Sequence, residues 1–300
     1  MTIGAYDGVH LGHRRLLEQL RTEAGSRGLV TEVVTFDRHP ATVVRPGSAP
    51  PQLTDLEQKL ELLAACGVDR TVVVPFDHER ASEPAEDFVT EVLVGSLGTK
   101  LVVVGSDFHF GNRRLGNVEL LESMGSKLGF DVVGIGLEPG SDGVPVSSTR
   151  IRELIAEGRV DAASVLLGRY HELRGTVERG DQRGGPELGY PTANLAAPTG
   201  MALPKEGIYA CWYLRPDGVP RQAAVSFGRR PTFLPDGAAR LVEAHLLDFD
   251  GDLYGESARI CFVERLRDEL KFDSAEELVE QMDRDVEATR DLLKDRQPPG

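Results

Sequence analysis

The chain has 300 residues, which is long for a single hydrophobic core and enough for two domains of about 150 residues each. Its 34 basic and 48 acidic residues give a net charge of −14, which argues against a general nucleic-acid-binding protein. Three scattered cysteines do not make a disulfide framework or a zinc cluster. Because the sequence shows neither an apolar run of ~20 residues nor a signal-peptide pattern, we expect a cytoplasmic protein with no membrane partner.

The first half of the chain alternates short β-branched runs with longer amphipathic stretches. This alternation predicts an α/β domain, with a parallel sheet covered by helices on both faces. Ligands of such sheets bind at the carboxyl ends of the strands. The predicted strands are Val30–Phe36, Arg70–Pro75, Lys100–Gly105 and Phe130–Leu137, and the predicted helices are His13–Ser26, Asp55–Cys66, Pro84–Leu93 and Asn117–Leu128.

The sharpest chemical signal is the string Gly4-Ala5-Tyr6-Asp7-Gly8-Val9-His10-Leu11-Gly12-His13, where a strand end turns into a helix. Backbone N–H groups at a helix start favour an anion. His10 and His13 can both reach one polyphosphate, because Gly12 between them allows close backbone approach. The string offers no obvious nucleophile, so charge stabilisation is favoured over a covalent intermediate. Two surface histidines by chance is the alternative, and a lone His-x-x-His pair could equally bind a metal.

Two further segments of the first half are candidates for the same cleft. In Val146-Ser147-Ser148-Thr149-Arg150-Ile151-Arg152, hydroxyls at a helix start precede arginines, which suits a second phosphate cradle but also an ordinary capped helix. The segment Gly105-Ser106-Asp107-Phe108-His109-Phe110-Gly111-Asn112 follows a predicted strand and would line the cleft.

The second half changes character after two short predicted helices, Ile151–Glu157 and Val160–Leu166. We therefore predict domains of residues 1–167 and 168–300. Short strands separated by Gly/Pro turns predict a small antiparallel β-barrel, and a helix opening at Ser274 should dock its apolar stripe on it. The predicted strands are Leu173–Glu178, Gly207–Leu214, Arg221–Ser226, Leu241–Leu247 and Ser257–Phe262.

Three features of the barrel half carry chemistry. The glycine-rich turn beginning at Gly180 suits a mobile flap. Thr192 and Asn194 stand two apart, so on an extended segment they project to one face as hard oxygen ligands for Mg²⁺. Glu243, on a predicted strand, could accept a proton from a primary alcohol. An ordinary turn and a salt-bridged sheet carboxylate are the alternatives for these residues.

These strings resemble two enzyme families joined in one chain. The His10/His13 and Ser147–Arg152 strings resemble nucleotidyltransferases with a Rossmann-like fold, and the middle loop with Thr35-Phe36-Asp37-Arg38-His39-Pro40 resembles the FMN adenylyltransferase branch. The barrel strings look like riboflavin kinase. The whole resembles the prokaryotic bifunctional FAD synthetases, from Ile3 to about Leu293.

The resemblance implies roles for particular residues. His10 and His13 would be catalytic and stabilise the ATP phosphates, and Glu243 would be the base for the ribityl hydroxyl. Thr192 and Asn194 would hold MgATP. The nucleotide would further contact Gly4, Tyr6, Asp7, Gly12, Ser147, Ser148, Thr149, Arg152 and Gly180. Asp107, Phe108 and Asn112 would contact flavin. The implied partners are riboflavin, FMN and ATP, with FAD as product and Mg²⁺ as cofactor; the oligomeric state is left open.

The chain departs from the family pattern at three places. Only Met1-Thr2-Ile3 precede Gly4, which predicts a shortened first strand; Gly185-Pro186-Glu187 makes the flap longer; and Ser226 stands where many relatives carry asparagine. Two rival functions are an adenylyltransferase for another phosphate, such as a pantetheine or nicotinate nucleotide, and a non-catalytic flavin carrier.

Overall fold

A computed structural model describes residues 1–136, 143–179, 190–229 and 240–299. The chain divides into two compact units, Met1–Ser148 and Thr149–Gly300. This division lies ahead of the two short helices that precede the predicted domain boundary at residues 167/168. One of these helices, α8 (Val160–Leu167), packs against barrel strands of the second unit, so it is part of that unit's fold.

The first unit contains a parallel sheet, as the alternating pattern predicted. Strand β1 is short, Thr2–Ile3, and pairs with β2. The Met1 ammonium donates to Leu101 O at 2.7 Å and Val103 N–H donates to Met1 O at 2.9 Å, which is the pattern of a parallel pair. These bonds place β1 beside β4 and give the order β3-β2-β1-β4-β5. The other strands are β2 (Glu32–Phe36), β3 (Arg70–Val74), β4 (Leu101–Gly105) and β5 (Asp131–Ile135).

Alternate residues of the central strands enter two hydrophobic clusters, one on each face of the sheet. Val33, Leu101 and Val103 belong to one cluster, which includes Leu17 and Leu20 of helix α1. Val34 and Val102 belong to the other. The sheet is therefore covered on both faces, as expected for a parallel sheet.

The helices of the first unit follow the predictions with changes at their ends. They are α1 (Leu11–Ser26), α2 (Ala41–Val44), α3 (Leu56–Ala65), α4 (His78–Ser82), α5 (Ala85–Asp87) and α6 (Val118–Leu128). The prediction of a helix over Pro84–Leu93 was wrong in form: α5 is only three residues and continues as a π-helix over Phe88–Ser96. The π-helix buries Phe88, Val89 and Leu93, and its wider turn, with i→i+5 hydrogen bonds, is rare enough that an apolar segment is ordinarily read as an α-helix. Helices α2 and α4 are too short to show a period and were not predicted.

The second unit contains the predicted barrel. Six antiparallel strands close in the order β10-β7-β6-β11-β8-β9. They are β6 (His171–Glu178), β7 (Ala193–Ala196), β8 (Gly207–Leu214), β9 (Pro220–Arg229), β10 (Arg240–Leu246) and β11 (Ser257–Arg267), and α7 (Ser148–Ala156) and α8 precede them. The antiparallel strands alternate between the two faces. Tyr209, Cys211 and Tyr213 of β8 fill the interior.

The outer face of β8 is buried as well, because the last helix, α9 (Ala275–Lys294), lies against it. Trp212 and Leu214 pack there with Leu293 of α9. Arg267 of β11 also makes a bidentate ion pair with the buried Asp285, at 2.9 and 2.6 Å. The predicted docking of α9 is confirmed. Along the described ranges, no helix combines the length and the apolar composition that crossing a membrane requires.

Candidate active sites

The loop from Gly4 to His10 connects β1 to α1 and is folded tightly. Tyr6 and Val9 have φ values of 50° and 37°, which non-glycine residues adopt at a cost of about 1–2 kcal/mol each. Gly4 leaves room for the Tyr6 ring, because a Cβ there would lie 3.1 Å from it, closer than most Cβ contacts. The ring is buried, its hydroxyl lies 2.8 Å from Thr2 Oγ1, and burial raises the pKa of the Tyr6 phenol. The loop thus holds a strained conformation by internal packing.

The two histidines of this loop stack on one another at the start of α1. Their ring centroids are 3.7 Å apart with an interplanar angle of 15°. His10 caps the helix, since its Nδ1 accepts the His13 N–H at 3.4 Å. A neutral His10 ring therefore carries its proton on Nε2. Gly12 allows this packing, because a Cβ there would lie 3.2 Å from the His10 ring. The structure brings His10, His13 and Gly12 together as the spacing predicted.

A second segment, Leu53–Lys59, clamps the loop, and its role was not predicted. Buried Asp7 accepts the N–H groups of Leu53 and Thr54 at 2.8 and 3.2 Å, and Gly8 N–H donates to Thr54 Oγ1 at 3.1 Å. The Asp7 carboxylate therefore anchors the loop.

Lys59 is the most unusual member of this clamp. Its ammonium is buried and donates to Phe36 O at 2.7 Å and Ala5 O at 3.3 Å. Burial lowers the pKa of Lys59, while the carboxylates of Asp7 and Asp37 oppose this change. The sequence contained a signal for it: Lys59 stands three residues after Leu56 and four before Leu63, on the apolar stripe of α3.

The second predicted phosphate cradle begins beside the same loop. Ser148, the first residue of α7, donates its hydroxyl to Asp7 O at 2.9 Å. Ser148, the last residue of the first unit, therefore lies next to the loop that carries His10. Ser147 precedes it, and Thr149 and Arg152 follow in the first turns of α7, which belongs to the second compact unit from Thr149 onward.

The predicted flavin loop, Gly105 to Asn112, follows β4, and the two residues directly after it have left-handed backbones. Arg113 and Arg114 have φ values of 52° and 60°. Phe108 stacks on buried Phe110, with ring centroids 5.4 Å apart, and Asp107 is exposed. The Asn112 amide donates to Ser82 O at 3.2 Å, so this side chain ties the loop to the end of α4.

The barrel places three polar residues in one row across neighbouring strands. Glu243 of β10 lies opposite Asn194 of β7 on one side and opposite Ser226 of β9 on the other. Each stands between residues of the interior cluster, so all three side chains project from the outer face. Directly opposite side chains are about 4.5–5.5 Å apart at Cβ. The structure thus brings Glu243 and Asn194 together, which their separation of 49 positions did not reveal.

The segment that precedes β7 is held in place by several contacts. Asn194 is buried and its amide nitrogen donates to Thr192 O at 3.3 Å, so its carbonyl oxygen is the group that can bind a cation. His245 Nδ1 lies 3.0 Å from Pro191 O, and the Tyr190 hydroxyl donates to Asp283 of α9. This hydrogen bond and partial burial raise the pKa of Tyr190 to about 12. Gly180 and the departure at Gly185-Pro186-Glu187 lie outside the described residues.

Two oxygen-bearing side chains at the start of β7 are of the type that a hard cation prefers. They are the Thr192 hydroxyl and the Asn194 carbonyl, and Mg²⁺ in proteins commonly takes its remaining ligands from substrate phosphates and water. No cluster of three or more His, Cys, Asp or Glu side chains that could hold a metal occurs within the described ranges. A protein cage for a transition metal is therefore not seen there, whereas a shared site with a nucleotide fits the residues present.

Comparison with known proteins identifies both units. A family model described as FAD synthetase matches residues 1–150, and one described as riboflavin kinase matches residues 167–293. A bifunctional riboflavin kinase/FMN adenylyltransferase from Escherichia coli (strain K12) is 36% identical over 293 residues, covering 98% of this chain and 92% of that protein. The protein of the same name from Pseudomonas fluorescens is 38% identical over 291 residues, covering 97% and 92%.

A solved structure agrees with the architecture of the whole chain. The crystal structure of a protein described as a macrolide-efflux protein from Streptococcus pneumoniae is 31% identical and has a TM-score of 0.87, covering 96% of this chain and 93% of that one. The sequence matches cover both units and nearly the full length of the relatives, and they confirm the predicted resemblance. The chain belongs to the family of bifunctional riboflavin kinases/FMN adenylyltransferases.

Proposed function

We propose that this chain phosphorylates riboflavin to FMN with ATP and then adenylylates FMN to FAD with a second ATP, releasing pyrophosphate. We assign the residues that carry adenylylation to positions 1–167 and those that carry phosphorylation to positions 168–300, while α8 belongs structurally to the second unit. Both reactions consume ATP, and we place the enzyme in the cytoplasm. The observation that carries the proposal is the opposition of Glu243 and Asn194 on the barrel, beside a family match that covers both units.

In the first unit, the ATP phosphates would lie at the start of α1. The N–H groups there favour an anion, and His10 and His13 add donors at the same point. An oxygen of the FMN phosphate attacks the α-phosphorus of ATP, and the bond to the leaving pyrophosphate breaks. The imidazoles stabilise the charge that develops on the pyrophosphate. Asp7, through Leu53 N–H, and Lys59, through Ala5 O, keep the loop in place for this step.

The remaining contacts of this unit follow from the same placement. Gly4, Tyr6 and Gly12 shape the loop so that the nucleotide can approach its backbone. Ser147, Ser148, Thr149 and Arg152 would contribute hydroxyl and guanidinium donors to the phosphates. Asp107, Phe108 and Asn112 would line the flavin side, where the Phe108 ring offers a stacking surface.

In the barrel, Glu243 accepts the proton of the terminal ribityl hydroxyl as that oxygen attacks the γ-phosphorus of ATP, and the bond from the γ-phosphorus to the bridging oxygen breaks so that ADP leaves. Thr192 and Asn194 would hold Mg²⁺, which neutralises phosphate charge when it is bound. The segment beginning at Gly180 would cover the phosphates. Because phosphoryl transfer depends mainly on positioning and charge neutralisation, a site with one carboxylate and few other catalytic side chains is sufficient.

The proposal is tested by incubating the protein with riboflavin, ATP and Mg²⁺ and separating the flavins by chromatography. We expect FMN to form first and FAD to follow. Riboflavin that stays bound and unchanged would instead indicate a flavin carrier. Failure to adenylylate supplied FMN, with turnover of another phosphorylated substrate, would support the rival adenylyltransferase.

The assignment of Glu243 is tested with Glu243→Gln, which keeps the shape of the side chain and removes its charge. This variant should bind riboflavin and MgATP nearly normally, form FMN far more slowly and still convert supplied FMN to FAD. Glu287→Gln, on the exposed side of α9, is the matched control and should retain both activities. Near-normal kinase turnover by folded Glu243→Gln protein would make Glu243 a structural sheet residue.

A further inference from the structure

The barrel row continues beyond Glu243 to a second carboxylate that the reaction described above does not use. Ser226 lies opposite Glu243 and donates its hydroxyl to Glu269 Oε1 at 3.2 Å. Glu269 follows β11 in the chain, so the segment between β11 and α9 delivers this carboxylate to the outer face of β9.

The Glu269 carboxylate occupies space that is open because residue 228 is a glycine. A Cβ at Gly228 would lie 2.6 Å from Glu269 Oε1, and Gly228 stands two residues after Ser226 on the same face of β9. Glycine here therefore leaves the volume that the carboxylate fills, while any larger residue would displace it.

The hydrogen bond decides which groups this pair can bind. A serine hydroxyl has one proton and two lone pairs, and the Ser226 proton is used on Glu269. Ser226 and Glu269 therefore present acceptors toward a ligand, and an ionised Glu243 beside them is also an acceptor. Such a surface repels phosphate oxygens and selects groups that bring O–H donors.

Glu243 thus separates two chemically different neighbours. On the Asn194 side the residues suit a cation with its phosphates, and on the Ser226 side they suit hydroxyl groups. We infer that Ser226 binds a secondary hydroxyl of the ribityl chain, with Glu269 as the positioning residue that holds Ser226 as an acceptor. This inference rests on the proposed kinase function and adds the part of the site that recognises the polyol.

The test compares riboflavin with flavin analogues that each lack one secondary hydroxyl and keep the terminal one. The wild-type enzyme should prefer riboflavin to one of these analogues by about tenfold in kcat/KM, the effect of losing one hydrogen bond in a polar site. In Ser226→Ala and Glu269→Ala, the ratio of kcat/KM for riboflavin to kcat/KM for that analogue should fall to near one. The fall should come from a lower kcat/KM for riboflavin, with the value for the analogue unchanged. The KM for ATP should stay unchanged, because ATP lies on the other side of Glu243.

Two further variants separate positioning from general damage. Glu269→Gln should retain part of the preference, because its amide oxygen can still accept the Ser226 proton. Gly228→Ala should resemble Glu269→Ala, because its methyl group displaces the carboxylate. Glu287→Ala, on the exposed side of α9, serves as the control, and melting temperature with adenylylation of supplied FMN reports the integrity of each protein.

Three results would overturn the inference: a wild-type enzyme indifferent to every missing secondary hydroxyl, variants that lose the same factor on all flavins, or a raised KM for ATP. A wild-type enzyme that makes no FMN at all would refute the proposed function instead. If Glu269→Ala fails to fold, the Ser226→Ala variant decides the question by its ratio of kcat/KM for riboflavin to kcat/KM for the analogue. This substitution removes a single oxygen from a half-buried side chain.

Discussion

His171, the first residue of β6, makes the stability of the barrel depend on pH. Its side chain is 1% exposed, and Nε2 lies 2.8 Å from Ala202 O. Burial lowers the pKa of His171 from 6.5 to about 4; the hydrogen bond to Ala202 opposes this and the Arg169 guanidinium adds to it. The neutral imidazole donates from Nε2, so His171 is an uncharged hydrogen-bond donor in the folded barrel.

The sign and size of the effect follow from proton linkage. Between pH 4 and 6.5 the unfolded chain binds a proton at His171 that the folded barrel does not, so stability rises with pH in this window. The stabilisation is complete above pH 6.5 and is lost as the pH falls to about 4. Because one pKa unit corresponds to about 1.4 kcal/mol, this residue alone should account for about 3 kcal/mol.

Trp212 makes this measurable in the intact chain, because it is the single tryptophan and lies on β8 of the barrel. Urea unfolding followed by its fluorescence should be recorded from pH 4 to 8 for wild type and His171→Gln. Glutamine can donate to Ala202 O but does not titrate. The wild type should lose about 3 kcal/mol more than the variant between pH 6.5 and 4. Parallel pH profiles for the two proteins would refute the reasoning, and His78→Gln, exposed in the other unit, should follow the wild type.

Other perturbations test the first unit. His10→Ala should slow FMN adenylylation by roughly a hundredfold, as expected when one charge-stabilising donor is lost, and leave kinase turnover unchanged; equal loss of both activities would indicate a structural role. Lys59→Met should destabilise the first unit by about 1–3 kcal/mol, since Phe36 O and Ala5 O lose their charged donor, and should lower FAD formation but not FMN formation; unaltered FAD formation would contradict the clamp. Gly111→Ala should lower the melting temperature, because the φ of Gly111 is 71° and the new Cβ would lie 2.7 Å from Ala85. Gly25→Ala is the matched control within α1. Its new Cβ would have nothing within 4 Å, so this change should raise stability by up to ~1 kcal/mol.

Local patterns in the sequence were sufficient for the two fold types. Alternation of β-branched runs and amphipathic stretches requires neighbours on both sheet faces, which a parallel sheet with helices supplies. Strand β8 matched its predicted bounds, and the short turns between strands matched an antiparallel barrel. The string from Gly4 to His13 was also interpretable locally, because helix periodicity places residues three apart on one face.

Contacts between residues distant in the chain were decided by the tertiary structure alone. The opposition of Glu243 to Asn194 and Ser226 depends on strand order and register, and a slip of one residue would turn Glu243 into the barrel. Glu269 reaches Ser226 across 43 positions, and no local pattern marks it. Lys59 was not predicted: in the sequence it is only a charge on an apolar stripe, and its acceptors, Ala5 O and Phe36 O, could not be foreseen because any backbone carbonyl has the same chemistry. Sequence patterns therefore determined which chemical groups were available, while register and loop packing decided which of them meet.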